Sequence, residues 1–183
     1  MAQLLDVLLL TLTDFTDYRD ISPNTDAERL NVYIRESQVR ELRTFLGDEL
    51  YLKLILDYDE TTNTFTDQRY TDIYFGVDYV NGTKTIRFNG LKGAHVLNAY
   101  KRFLDNQSIN VTRYGVKDLT SAESESTTQA QIRTKKIDAE SMAKMYESDA
   151  KRFLSAKAVD YPEYDNGETP LKNTSFNFIK VSN

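Results

Sequence analysis

The stretch Leu91–Asp105, "LKGAHVLNAYKRFLD", decides the fold. On a helix, Leu91, Ala94, Val96, Leu97, Ala99, Tyr100, Phe103 and Leu104 cover most of the circumference. They leave a narrow polar stripe of His95, Asn98, Arg102 and Asp105 at i, i+3, i+7 and i+10. A helix apolar over so much of its surface belongs at the centre of a bundle, with other helices around it. Gly93 has no side chain, which lets another backbone approach closely. His95 is the only histidine of the chain. In such a stripe it is expected to be solvated or at a contact, not catalytic or metal-binding.

Upstream, "DYVNGTKTIRF" sets Asn81-Gly82 between alternating residues, the signal of a β-hairpin over residues 77–88. Two strands alone are marginal in water, so this hairpin must pack on helices or pair with a neighbour. Before it, Thr66 or Asp67 starts a short helix bearing Tyr70, Ile73 and Tyr74. Farther back, Thr25 and Glu28 have the spacing of a capping box and predict a helix from about Asp26. Ala27, Leu30, Ile34, Leu42 and Phe45 give that helix an apolar face with Gln38 as a polar gap, and Glu36 and Arg40 form an i,i+4 pair. Gly47 ends it and Asp48 caps the next helix, which carries Leu50, Tyr51, Leu54 and Ile55. The result is a helical hairpin with a very tight turn.

Downstream, "NVTRYGVKDLTSAESESTT" (Asn110–Thr128) is a long connection, and residues 107–127 are expected to form an extended loop. The last helix runs from about Thr128 to Ala158. One face holds Ala139, Met142, Ala143, Tyr146, Ala150, Phe153, Leu154 and Ala158, and the pairs Glu140/Lys144 and Glu147/Lys151 lie outside. Its front part, where periodicity thins to Ile132 and Ile137, is expected to project beyond the core. After Pro162 the chain is polar until "SFNFIKV", which reads as an isolated strand. The expected fold is mainly α: a bundle of about four to five helices with an inserted β-hairpin, a long extended loop and an extended C-terminal tail. Residues 1–160 form the single helical domain and residues 161–183 the tail.

At 183 residues the chain is long enough for one domain with a sizeable core. It has no cysteine, which excludes disulfides, thiolate metal sites and a cysteine nucleophile. "MAQLLDVLLLTL" lacks a basic n-region and carries Asp6, so it reads as structure and not as a signal peptide. No apolar run reaches the length of a transmembrane helix. The net charge of -5 is uneven, for residues 1–60 hold 13 acidic and 6 basic side chains. Lys84, Arg87, Lys92, Lys101, Arg102, Arg113 and Lys117 face only Asp105 in the segment that follows the hairpin turn. That asymmetry points either to a partner, nucleic acid or another copy of the chain, or to two solvated faces.

Motifs of chemistry are missing. "DYDETTNTFTDQ" begins like a calcium loop, but Thr62 replaces the glycine and Gln68 the bidentate carboxylate, so it reads as a solvated loop. There is no phosphate-cradling glycine loop and no nucleophile–histidine pair, so no enzymatic activity, metal or cofactor is expected. The twelve tyrosines suit either a wet contact surface or the core.

The order of segments carries a resemblance. "LTLTDFTDYRDIS", "DAERLNVYIRESQVRELRTFLGDELYLKLI", a hairpin leading into "FNGLKGAHVLNAYKRFL", then "NVTRYGVKDLTSAESEST" and a long last helix resemble the helical head-to-tail connector (adaptor) proteins of tailed bacteriophages. The likeness is to those of phages of gut Bacteroidetes, such as the crAss-like group, and covers about residues 11 to 156. It implies a virion protein at the head-to-tail junction, assembled in the host cytoplasm. Commonly twelve copies form a ring below the portal, next to further connector or tail proteins, and extend the channel through which DNA passes. In that setting Val111, Arg113, Tyr114, Gly115, Val116 and Lys117 are candidates for contact with a neighbouring subunit or the portal. Phe176, Phe178, Ile179 and Val181 are candidates for a tail contact, adding a strand to the hairpin of an adjacent chain. Lys84, Arg87, Lys92, Lys101 and Arg102 are candidates to face an interface or DNA, and a small nucleic-acid-binding protein using the 84–117 segment is the alternative reading.

Overall fold

The computed structural model describes residues 7–19, 21–22, 25–106, 109–112, 115–118 and 129–164. Its helices are α1 (Leu12–Thr16), α2 (Ala27–Ser37), α3 (Arg43–Leu46), α4 (Asp48–Asp57), α5 (Gln68–Phe75), α6 (Lys92–Asn106) and α7 (Gln129–Ala156). A π-helical turn, Gln38–Leu42, joins α2 to α3 without a break in helical backbone. The strands form three separate antiparallel ribbons: β1 (Tyr58–Asp59) with β2 (Thr64–Phe65), β3 (Val77–Asn81) with β4 (Lys84–Phe88), and β5 (Ile109–Thr112) with β6 (Gly115–Asp118). The fold is mainly α.

The apolar helix is the axis. Val96, Leu97 and Ala99 of α6 have no exposed surface, and α2 and α7 pack along it. From α7 come Ala139, Ala143, Ala150, Phe153 and Leu154, all buried. The front of α7 does not project free of the core: Ile132 is 8% exposed, although Ile137 remains on the surface. Gly93 receives a side chain and not a backbone, for a Cβ there would lie 2.6 Å from Cζ of Tyr146.

The β3–β4 hairpin packs on the helices through its two buried aromatic residues. Phe88 stacks on Phe153 at 4.5 Å between centroids, and Tyr79 meets Phe153 edge-on at 5.1 Å. Burying a side chain of this size contributes about 1.5–3 kcal/mol, enough to hold a two-stranded ribbon that would not persist alone. Its register pairs Asn81 with Lys84, so the turn is Gly82-Thr83 with Gly82 at φ +64°. Glycine at the first turn position is the pattern of a type II′ turn, one residue later than the Asn81-Gly82 pair suggests.

Three local expectations are corrected. The cap of α2 is Asp26, whose carboxylate accepts from the amides of Glu28 (2.9 Å) and Arg29 (3.3 Å). Because the helix begins at Ala27, the capping position falls on Asp26 and not Thr25. The Glu36/Arg40 pair is replaced by another. A π turn has five-residue spacing, which brings Glu36 and Glu41 to one side. Arg102 of α6 reaches both, with Nε donating to Glu41 at 3.0 Å and Nη1 to Glu36 at 3.4 Å. Gly47 (φ +78°) makes the one-residue turn between α3 and α4, and it also caps α4. Asp48 instead accepts from Nε of Arg43 at 2.7 Å.

Past α7 the chain turns back. Tyr161 is 3% exposed and donates its hydroxyl proton to the carbonyl of Arg69 at 2.7 Å. Glu163 accepts from Nζ of Lys53 at 2.8 Å, and Tyr164 lies against Phe45. These first residues of the segment read as tail are part of the helical body. The strand expected at Phe176, Phe178, Ile179 and Val181 lies outside the described residues.

Candidate assembly surfaces

Three of the seven basic residues of the 84–117 segment are paired within the chain. Arg87 pairs with Asp78 across the hairpin at 3.1 Å, and Lys92 pairs with Asp14 at 2.6 Å beneath the ring of Phe75. Arg102 is only 17% exposed and is taken by Glu36 and Glu41, which hold its guanidinium above its ordinary pKa, chiefly through the hydrogen bond it donates to Glu41. Lys92 and Arg102 of the basic segment therefore meet carboxylates of the acidic first third, Asp14, Glu36 and Glu41, inside one chain. Lys84 is exposed and Lys101 is half-buried. Arg113 lies outside the described residues, and Lys117 stands opposite Asn110 in the β5–β6 ribbon.

The polar stripe of α6 is likewise used up. Asn98 donates to Glu147 at 3.3 Å, so Glu147 faces α6, whereas Glu140 does pair with Lys144 at 2.8 Å. Asp105 pairs with Lys136. His95 is 2% exposed, contrary to the expectation of a solvated or contact histidine. The hydroxyl of Tyr74 donates to the carbonyl of Leu9 at 3.1 Å, and Nδ1 of His95 lies 3.0 Å from that hydroxyl. The other ring nitrogen, Nε2, lies 3.5 Å from the carbonyl of Ile34, so each ring nitrogen has an oxygen within reach. Burial pushes the histidine pKa down to about 4, against smaller upward effects of the Ile34 carbonyl and Asp14.

Gln38, the polar gap of α2, serves the same purpose. It is 2% exposed; its amide donates to the carbonyl of Val7 at 2.9 Å and accepts from the amide of Leu9 at 3.2 Å. One side chain thus pairs the N-terminal segment as a strand edge would, and Tyr74 and His95 complete the seat.

The β5–β6 ribbon occupies the connection between α6 and α7, where a loop was expected. Val111 pairs with Val116, Thr112 with Gly115, Asn110 with Lys117 and Ile109 with Asp118. The signal was present: Ile109, Asn110, Val111 and Thr112 alternate apolar and polar. Among the described residues no third strand joins this sheet. Tyr114, between the strands in sequence, lies outside the described residues, as does Arg113. The structure therefore brings Val111, Gly115, Val116 and Lys117 together in one ribbon.

A cleft of about 310 Å³ near the N-terminal segment is lined by Leu9, Thr11, Asp14, Tyr58, Phe75 and Lys92, and its ionic groups already pair with each other. Among the described residues, no three histidine, aspartate or glutamate side chains are grouped so as to hold a metal ion. No helix of the described residues is long and apolar enough to cross a membrane.

These features define a helical protein with several ion pairs between its elements and a two-stranded ribbon at the junction of its two longest helices. The chain belongs to the family of unknown function DUF6712, whose family model matches residues 42–174. No curated protein and no solved structure matches it.

Proposed function

We propose that the protein is a structural subunit of a head-to-tail connector ring of a tailed bacteriophage, bound below the portal and extending the DNA channel. The observation that carries this reading is the β5–β6 ribbon. Two four-residue strands form a sheet of their own. Such a ribbon is marginal in water and offers unpaired amides and carbonyls along its edges. A neighbouring subunit or the portal supplies what it lacks by adding a strand. Contacts of this kind are heterologous, one surface against a different one, and close into rings when the rotation allows. The resemblance of its segment order to phage connectors suggests the context of portal, channel and passing DNA. The nucleic-acid-binding alternative is weakened by the internal pairing of Arg87, Lys92 and Arg102, since phosphate binding needs free cations.

Excision of residues 109–126 with a short Gly-Ser bridge tests the reading. The expected product is a monomer with the parent's helical circular dichroism that no longer forms rings or adds density to a purified portal in electron micrographs. Rings that persist, or a variant that fails to fold, would refute the ribbon as the assembly element.

A further inference from the structure

A cleft of about 260 Å³ lies where the chain leaving α1 meets α6 and α7, and Tyr18, Arg19, Tyr100, Lys135 and Asp138 line it. We propose that this cleft binds a carboxylate on a short carbon stem, held by Arg19 and Lys135 beside the rings of Tyr18 and Tyr100. None of this depends on the connector reading.

Arg19 is the group that an anion completes. Its side chain is 18% exposed; Nη2 donates to Asp138 at 2.9 Å and lies 3.3 Å from Sδ of Met142. The guanidinium stands 5.9 Å from the centroid of the Tyr100 ring. Its Nε is enclosed and has no hydrogen-bond partner, one of two buried side-chain polar atoms in that state among the described residues. A guanidinium presents five N–H groups in a rigid fork that matches a carboxylate, so an enclosed Nε without an acceptor carries an uncompensated desolvation penalty. An acceptor arriving in the cleft draws the fork toward itself and relieves that penalty.

The other lining groups select the charge and size of the ligand. Lys135, three residues before Asp138 on α7, is exposed and belongs to no ion pair among the described residues. Arg19 and Lys135 against Asp138 leave the lining one positive charge in excess, which a monoanion balances and a dianionic phosphate overshoots. Asp138 weakens this attraction little. Its side chain is 59% exposed, so water screens its repulsion, whereas Arg19, largely out of water, keeps its pull. Burial is the chief reason that the Tyr18 hydroxyl is held above its usual pKa, so it stays protonated and able to donate. Tyr18 and Tyr100 also contribute ring surface, which suits the methylenes of a stem. The cleft is several times the roughly 30 Å³ that one water occupies, room for a carboxylate and a few carbons. A free organic acid offers this chemistry, and so does an acidic side chain of a second copy of the chain.

Propionate is the probe. It is titrated into the full chain carrying isotope-labelled arginine at about pH 6.5, where a carboxylate is ionised, with chloride holding the ionic strength at about 0.15 M. The expected result is a saturable shift of the Arg19 Nε–H resonance with a Kd on the order of 1 to 10 mM, ordinary for so small a ligand. Lys135→Glu reverses an exposed charge without touching the core, and it should weaken binding roughly tenfold. No saturable shift in the parent chain would overturn the proposal. Equal affinity in the Lys135→Glu chain would overturn it as well, and so would inorganic phosphate binding as tightly as propionate. Sedimentation at rising protein concentration separates the two sources. Oligomers that propionate dissolves and chloride does not mark the natural occupant as a side chain of a second copy; propionate binding that leaves the state of assembly unchanged marks it as a free acid.

Discussion

Acidification isolates one buried group in this protein. His95 is the sole histidine, and so the one side chain of the chain whose ordinary pKa lies between 5 and 8. Its pKa falls from 6.5 to about 4 on burial, so the folded state binds its proton more weakly than the unfolded state. The neutral imidazole therefore contributes its full stability above pH 6.5, and that stability is lost as pH drops toward 4. Between pH 7.5 and 4.5 the loss is on the order of 2 to 3 kcal/mol, at about 1.36 kcal/mol per pKa unit. The carboxylates held low by partners, among them Asp67 and Glu163, lose their contribution only as pH falls below their ordinary values of 3.8 and 4.5. Urea unfolding followed by circular dichroism at the two pH values measures the effect as a lower midpoint at constant slope. His95→Gln keeps polar groups at the site but cannot titrate, and it should remove the pH dependence. Equal midpoints in the parent chain, or an unchanged pH dependence in the variant, would refute the burial and hydrogen bonding assigned to His95.

Two further substitutions probe the frame around it. Gly90 has φ +77°, and a Cβ there would lie 2.4 Å from the carbonyl oxygen of Tyr74, which is backbone and cannot swing aside. Gly90→Ala should cost about 3–5 kcal/mol, from the left-handed conformation and the forced shift. The melting temperature should drop by roughly 10 °C for a chain of this size; a change of only about 2 °C would contradict the close approach. At the other end, Tyr161→Ala should cost about 3–5 kcal/mol in denaturant unfolding. Ending the chain after Tyr164 should cost no more than about 1 kcal/mol. A truncation as damaging as Tyr161→Ala would place core contacts beyond Tyr164.

Much of the architecture was legible because its signals are local. The apolar circumference of α6, the hairpin at 77–88, the Asp67 start of α5 and the Gly47 turn each depend on residues within a few positions of one another. The ribbon at 109–118 was passed over although its alternation is plain, because four residues per strand is a weak signal beside so long a polar connection. The π turn had no local mark at all. Its consequence, two glutamates five positions apart gripping one arginine, appears only when α6 is laid against it.

Of the candidate contact residues, the amino-acid sequence identified the connection that carries them, and pairing brought Val111 and Val116 face to face. The fate of the polar groups was a tertiary decision. Gln38 finds its partner 29 residues away, and Tyr74 finds Leu9 65 residues away. Arg102 finds Glu41 61 residues away. Periodicity tells which side of a helix is apolar, since that side repeats every turn. Whether a lone polar side chain meets water or a buried partner depends on what distant elements bring to it, and that choice is made only when the helices pack.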